Sequence, residues 1–133
     1  MTLDSTILPL GFKNTQKRGT GKLRFPLEMQ YFKNYSPSLG RDMERKVYGH
    51  AGRPMLFVPC QDGRYFDFEG MGLAADFAPW IESGRLMVFA IDTIDKETWS
   101  DLSGDAYHRI RLHESWIDYI TNEVVTFARN MAN

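Results

Sequence analysis

Cysteine is nearly absent from this chain. Cys60 is the one thiol in 133 residues, so neither an internal disulfide nor an all-thiolate metal site can form. A reducing compartment is compatible with that. An excess of either charge is missing too: sixteen basic against seventeen acidic side chains leave a formal charge of −1, which supplies no net field to draw the chain to nucleic acid or to an anionic membrane surface. No nucleic-acid or membrane partner is expected. The apolar runs, such as Met55–Cys60 and Leu86–Ile91, fall far short of a membrane span, and the N-terminus lacks a basic segment followed by a signal-type apolar core. These absences predict a cytoplasmic protein. Also missing is Gly-x-Ser-x-Gly: none of Ser5, Ser36, Ser38, Ser83, Ser100, Ser103 and Ser115 has glycine two residues away on both sides. A serine nucleophile on a strand-to-helix elbow is therefore excluded within these residues.

What is present suits one globular domain. With 43% hydrophobic and 14% aromatic residues, the chain can bury one sizeable core. Residues 1–22 differ from the rest, because Lys13, Lys17, Arg18 and Lys22 are interleaved with Asn14, Thr15, Gln16, Gly19, Thr20 and Gly21, a mixture that gives little to bury. They predict a flexible extension, reaching to residue 28, rather than a nucleic-acid arm, since four charges without interleaved aromatics are a weak electrostatic signal.

From Leu27 the pattern is regular. Met29, Tyr31, Lys33 and Tyr35 alternate with Gln30, Phe32 and Asn34, Ser36-Pro37-Ser38-Leu39-Gly40 breaks the run, and Met43–Tyr48 resumes it; this predicts an antiparallel hairpin at a sheet edge. After the turn cluster Gly49–Pro54, Met55-Leu56-Phe57-Val58 is continuous rather than alternating, which predicts a central strand covered on both faces. Ala74, Phe77, Ala78 and Ile81 lie on one helical face, and Gly84 is placed just past that helix. Leu86–Ile91 predicts a second parallel strand ending at Asp92, joined to the first by a right-handed crossover. In the last segment His113, Ile117, Ile120, Val124, Phe127 and Met131 step by four, three, four, three and four, predicting a helix with that stripe buried. Ser103-Gly104-Asp105 supplies N-cap candidates before it.

The residues Tyr35-Ser36-Pro37-Ser38-Leu39-Gly40-Arg41-Asp42-Met43-Glu44, Val47-Tyr48-Gly49-His50-Ala51-Gly52, Pro54, and Gly63-Arg64-Tyr65-Phe66 carry a resemblance. So do Arg85-Leu86 into Asp92, Glu97-Thr98-Trp99, and His113-Glu114 with Tyr119. Over about Met29 to Met131 the chain resembles the start of the esterase D-like family of α/β-hydrolases. The resemblance implies an α/β fold: the N-terminal portion of an α/β-hydrolase sheet, an antiparallel edge hairpin followed by a parallel strand-helix-strand-helix. It divides the chain into an extension over 1–28 and a partial hydrolase domain over 29–133 that ends before the nucleophile elbow. Serine, acid and histidine would then all lie outside these residues, leaving a carboxylic-ester hydrolase half that is inactive alone by serine chemistry. The implied partner is a complementing C-terminal half or a second copy, and a small ester is a substrate only once the machine is complete. No cofactor is implied.

This half has few groups to contribute. An acyl-transfer site needs two backbone N–H donors for the developing oxyanion, and the resemblance places one in Cys60-Gln61-Asp62-Gly63, at the amide of Gln61 or Asp62. The same loop reads equally as a strand-to-helix turn that requires glycine. Cys60 with His50, His108 or His113 as base is chemically conceivable, but a buried, inert thiol is the expectation. His113 lies on the apolar stripe, where a hydrogen-bonded structural histidine is commoner than a base. Asp62, Asp92, Asp95 and Asp101 follow strand ends, yet no ligand spacing supports a metal there, so they are expected as loop acids or helix caps. Trp99 is a candidate pocket residue for an acyl or alcohol group, or a cover for the sheet edge. The alternative function is a non-catalytic interaction or structural module built on the same scaffold.

Overall fold

The alternation on either side of Pro37–Gly40 folds as a hairpin. Strand β2 (Met29–Ser36) pairs antiparallel with β3 (Arg41–Tyr48) in unbroken register from Met29 against Tyr48 to Ser36 against Arg41. The turn closes with a hydrogen bond from the Gly40 amide to the Ser36 carbonyl at 2.7 Å. The computed structural model of the chain describes residues 27–132 and the backbone of 7–9. Those three residues form β1 (Ile7–Pro9), antiparallel to β2. Of the rest of the segment expected to be a flexible extension, Leu27 is buried and Glu28 exposed, and the other residues lie outside those described.

Beyond the hairpin come β4 (Arg53–Phe57), the short helix α1 (Asp67–Gly70), α2 (Leu73–Glu82) and β5 (Leu86–Ile91). The sheet order is β1-β2-β3-β5-β4, with β5 antiparallel to β3 and parallel to β4. This is a mixed α/β sheet with helices packed on both faces. Helix α2 ends as the sequence predicts, with Gly84 at φ +79°. The Gly84 amide bonds the Ile81 carbonyl and the Arg85 amide bonds the Trp80 carbonyl, which satisfies two carbonyls left open at a helix end.

Register decides which side chains share a face. Met29, Tyr48, Val88 and Ala90 point one way and pack with Phe68 of α1 and Ala74 and Ile81 of α2. Phe32, Val47, Met87 and Phe89 point the other way, toward Phe127 and Met131. Phe68 is fully buried, its ring 4.9 Å from Tyr48 and 5.2 Å from Phe57.

Two expectations are corrected. The run Met55–Val58 is not a central strand: among the described residues β4 has β5 on one side only, and Leu56 and Val58 are 39% and 45% exposed. The central place belongs to β5, five of whose six residues are buried. The last helix also departs from its predicted stripe. It runs as α3 (Ala106–Asp118), a π turn (Tyr119–Val124) and α4 (Val125–Ala132). Trp116, Tyr119 and Val124 are buried, whereas Ile117 is 41% exposed. A π turn inserts one residue per turn, so the buried face shifts register between Tyr119 and Val124. Asp105 caps α3, its carboxylate accepting from the His108 amide at 2.9 Å. Among the described residues no helix is long and apolar enough to cross a membrane.

Candidate site at the carboxyl ends of the parallel strands

Strands β4 and β5 run parallel, so both release their following loops at the same rim of the sheet. Ligands of open α/β sheets bind at such rims. The two loops are laced together by polar side chains. Asp62 Oδ1 accepts from Ser100 Oγ at 2.6 Å, Gln61 Nε2 donates to Ser100 Oγ at 2.8 Å, and Thr93 Oγ1 donates to the Gly63 carbonyl at 2.8 Å. Gly63 is required by space: a Cβ there would lie 2.6 Å from Pro59 Cβ and 2.8 Å from the Cys60 carbonyl oxygen.

A second, charged network fills the floor between the loops and β3. Asp92, buried at the end of β5, accepts from Arg64 Nε at 2.8 Å and from the Tyr65 amide at 3.0 Å. Arg64 Nη2 reaches on to Glu44 Oε1 at 3.0 Å, and the other Glu44 oxygen accepts from the hydroxyls of Tyr31 and Tyr65. Burial pushes the Asp92 carboxyl up from its ordinary range, against the opposing pull of Arg64 and the Tyr65 amide. Burial, together with Glu44, pushes the Tyr31 and Tyr65 phenols up, so both remain proton donors toward Glu44. At the outer edge Arg41 forks onto Glu97, both contacts at 2.7 Å, and Arg41 holds the Glu97 carboxyl down. The resulting polar cleft has a volume of about 240 Å³.

Of the two oxyanion candidates, Asp62 has its amide committed, donating to Asp95 Oδ2 at 3.1 Å. The Gln61 amide makes no hydrogen bond among the described residues. Asp62 sits in the left-handed region at φ +64°, where Asp is tolerated better than most side chains. Asp62→Ala should therefore lose the Ser100 contact and add backbone strain, costing about 1–2 kcal/mol. Asp62→Gly, which loses the contact but is at ease at that φ, should cost less in the same urea titration. Equal costs would mean that the left-handed conformation is not what Asp62 supplies.

The remaining sequence candidates separate. Trp99 is 54% exposed; it lines a second, mainly apolar cleft with His113, and its indole N–H donates to His113 Nδ1 at 3.2 Å. Cys60 is exposed rather than buried, which corrects the expectation: it lies past the end of β4, where the chain has left the core. Among the described residues no histidine hydrogen-bonds to Cys60 or to a serine hydroxyl, and no three metal-ligating side chains converge. Asp62 and Asp95 cross-link the loops, Asp92 anchors Arg64, and Asp101 accepts from Ser103. Among the described residues the rim pairs no serine or cysteine with a histidine, and the Ser100 hydroxyl is held by the Asp62 carboxylate.

The sequence reading missed the network of Glu44, Arg64, Tyr31 and Tyr65. Its one local signal was Asp92 closing a fully apolar strand, since a carboxylate beside a buried strand end requires donors. No family model matches the chain, and no curated protein or solved structure matches it significantly.

Proposed function

We propose that the chain is the N-terminal part of a carboxylic-ester hydrolase of the α/β-hydrolase kind, supplying scaffold and one oxyanion donor to a site whose serine, acid and histidine lie outside these residues. The observation that carries this reading is the turn Gln61-Asp62-Gly63 at the carboxyl end of the parallel strand β4, with the Gln61 amide uncommitted. In that role Gln61 is the better donor of the two, because Asp95 occupies the Asp62 amide. An antiparallel hairpin leading into a parallel strand-helix-strand unit agrees with the layout that the resemblance implies. The side of β4 that has no neighbour among the described residues supports it too, since a further strand seated there would cover Leu56 and Val58.

A small ester such as p-nitrophenyl acetate tests the proposal, with a fluorophosphonate label and mass determination on the same sample. The purified 133-residue chain should give no turnover and no adduct. Robust turnover by the chain alone would overturn the assignment and direct mutation to Cys60. Sequencing the DNA that follows the codon for Asn133 separates the alternative: a frame encoding Gly-x-Ser-x-Gly supports the hydrolase, and a stop codon without such a frame supports a non-catalytic interaction module.

A further inference from the structure

The second cleft has the shape and chemistry of a ligand site in its own right. It holds about 150 Å³ between the loop after β5 and the first turns of α3, lined by Thr98, Trp99, Ala106, Arg109, Ile110 and His113, room enough for a ring of benzene size. Trp99 and Ile110 are both more than half exposed, yet Trp99 is not a loose surface side chain. Its indole N–H is bound to His113 Nδ1, and its ring meets the imidazole edge-on at 5.0 Å. Arg109 fixes the backbone beneath it, Nε donating to the Thr98 carbonyl at 2.7 Å and Nη2 to the Trp99 carbonyl at 3.3 Å. An exposed aromatic held from two sides is pre-organised, so a ligand meets little ordering cost there.

Arg109 is the charged side chain among those lining this apolar wall. Arg109 forms no ion pair among the described residues, and neither carbonyl bond uses Nη1. Asp101 accepts from Ser103 and forms no ion pair with Arg109. The bond from Trp99 fixes His113 with Nδ1 as acceptor, so its Nε2 carries the proton and is a donor. The geometry points to a small monocarboxylate with an aromatic or branched-alkyl body as the ligand: the body lies on Trp99 and Ile110, and the carboxylate takes Arg109 Nη1. This inference is independent of the hydrolase reading.

Sodium benzoate is the probe, followed by ¹H–¹⁵N correlation spectra at constant ionic strength, with the Trp99 indole signal identified by its loss in Trp99→Phe. Benzoate should shift that signal saturably with a Kd of about 1 mM or tighter. Benzyl alcohol, which lacks the charge, and acetate, which lacks the ring, should each bind at least about tenfold more weakly. Arg109→Gln should weaken benzoate by about tenfold with the Trp99 signal still at its wild-type position; where that signal moves, Arg109→Lys takes its place and should restore the preference for benzoate over benzyl alcohol. Ile110→Glu should abolish benzoate binding. Absence of a saturable shift with benzoate, equal binding of benzyl alcohol, or full benzoate affinity in Arg109→Gln would each overturn the assignment.

Discussion

Phe68→Ala should lower the unfolding free energy by about 3–5 kcal/mol, with an unchanged urea m-value. Phe68 is fully buried on a helix of four residues, too short to persist through its own hydrogen bonds. What holds α1 is the ring of Phe68 against Tyr48, Phe57 and Phe77. Truncation removes that anchor and leaves a cavity between sheet and α2. The consequence reaches the candidate site, because α1 opens just after Arg64: the Arg64 amide donates to Asp67 Oδ2 at 3.1 Å, and the Asp67 amide bonds the Arg64 carbonyl at 3.0 Å. Phe68→Leu keeps most of the volume and should cost less than about 1.5 kcal/mol. If alanine costs no more than leucine, α1 is not anchored by this ring.

How much of the fold could be read depended on whether side chains alone carry the signal. The hairpin could be read, since alternation across Met29–Tyr48 reflects one buried face per strand. The place of β4 could not be read from hydrophobicity, because the run Met55–Val58 reports covered faces and says nothing of ladder neighbours. Pro54 was the better sign. Arg53 turns its amide toward β5, bonding the Arg85 carbonyl at 3.0 Å, so the next residue faces away, where a proline deprives no described neighbour of a donor. In the last helix, period counting assumed unbroken α geometry. It chose Ile117, and the structure buries Trp116 and Tyr119 instead, because a π turn changes the period and no single residue announces one.

The candidate site was legible where the backbone fixes it and illegible where tertiary pairing does. Gly63 and the turn after β4 were visible as punctuation. Asp92 was visible as a charge ending an apolar run, but its partner Arg64 lies 28 residues away in sequence, and Glu44 comes from a strand of the hairpin. Such a network is defined by register: Arg45 opposite Ile91 is what brings the neighbouring Glu44 toward the rim where Asp92 lies. Trp99 and His113, by contrast, come from a loop and a helix that fold onto one another, and neither residue's local pattern indicates the contact between them.

Gly52→Ala should cost at least about 3 kcal/mol, because two effects act together at one position. Gly52 adopts φ +113°, and a Cβ there would lie 2.3 Å from the carbonyl carbon of Arg85 and 2.5 Å from the amide of Leu86. Both clashes are with backbone, so no rotamer change relieves them. The residue that follows, Arg53, begins the parallel ladder opposite Leu86, so displacing Gly52 pushes the start of β4 away from β5 and disturbs the register on which the rim depends. Gly70→Ala is the matched control: nothing lies within 4 Å of its added Cβ, and its position inside α1 carries no left-handed φ. It should be neutral or stabilising by up to about 1 kcal/mol, because alanine restricts the unfolded chain more than glycine does. Urea titrations of the two variants should therefore move in opposite directions or differ by several kcal/mol. Similar midpoints would mean that the approach of the β3–β4 turn to the start of β5 is looser than 2.3 Å implies, and the parallel pairing would then have to be set by β4 and β5 themselves.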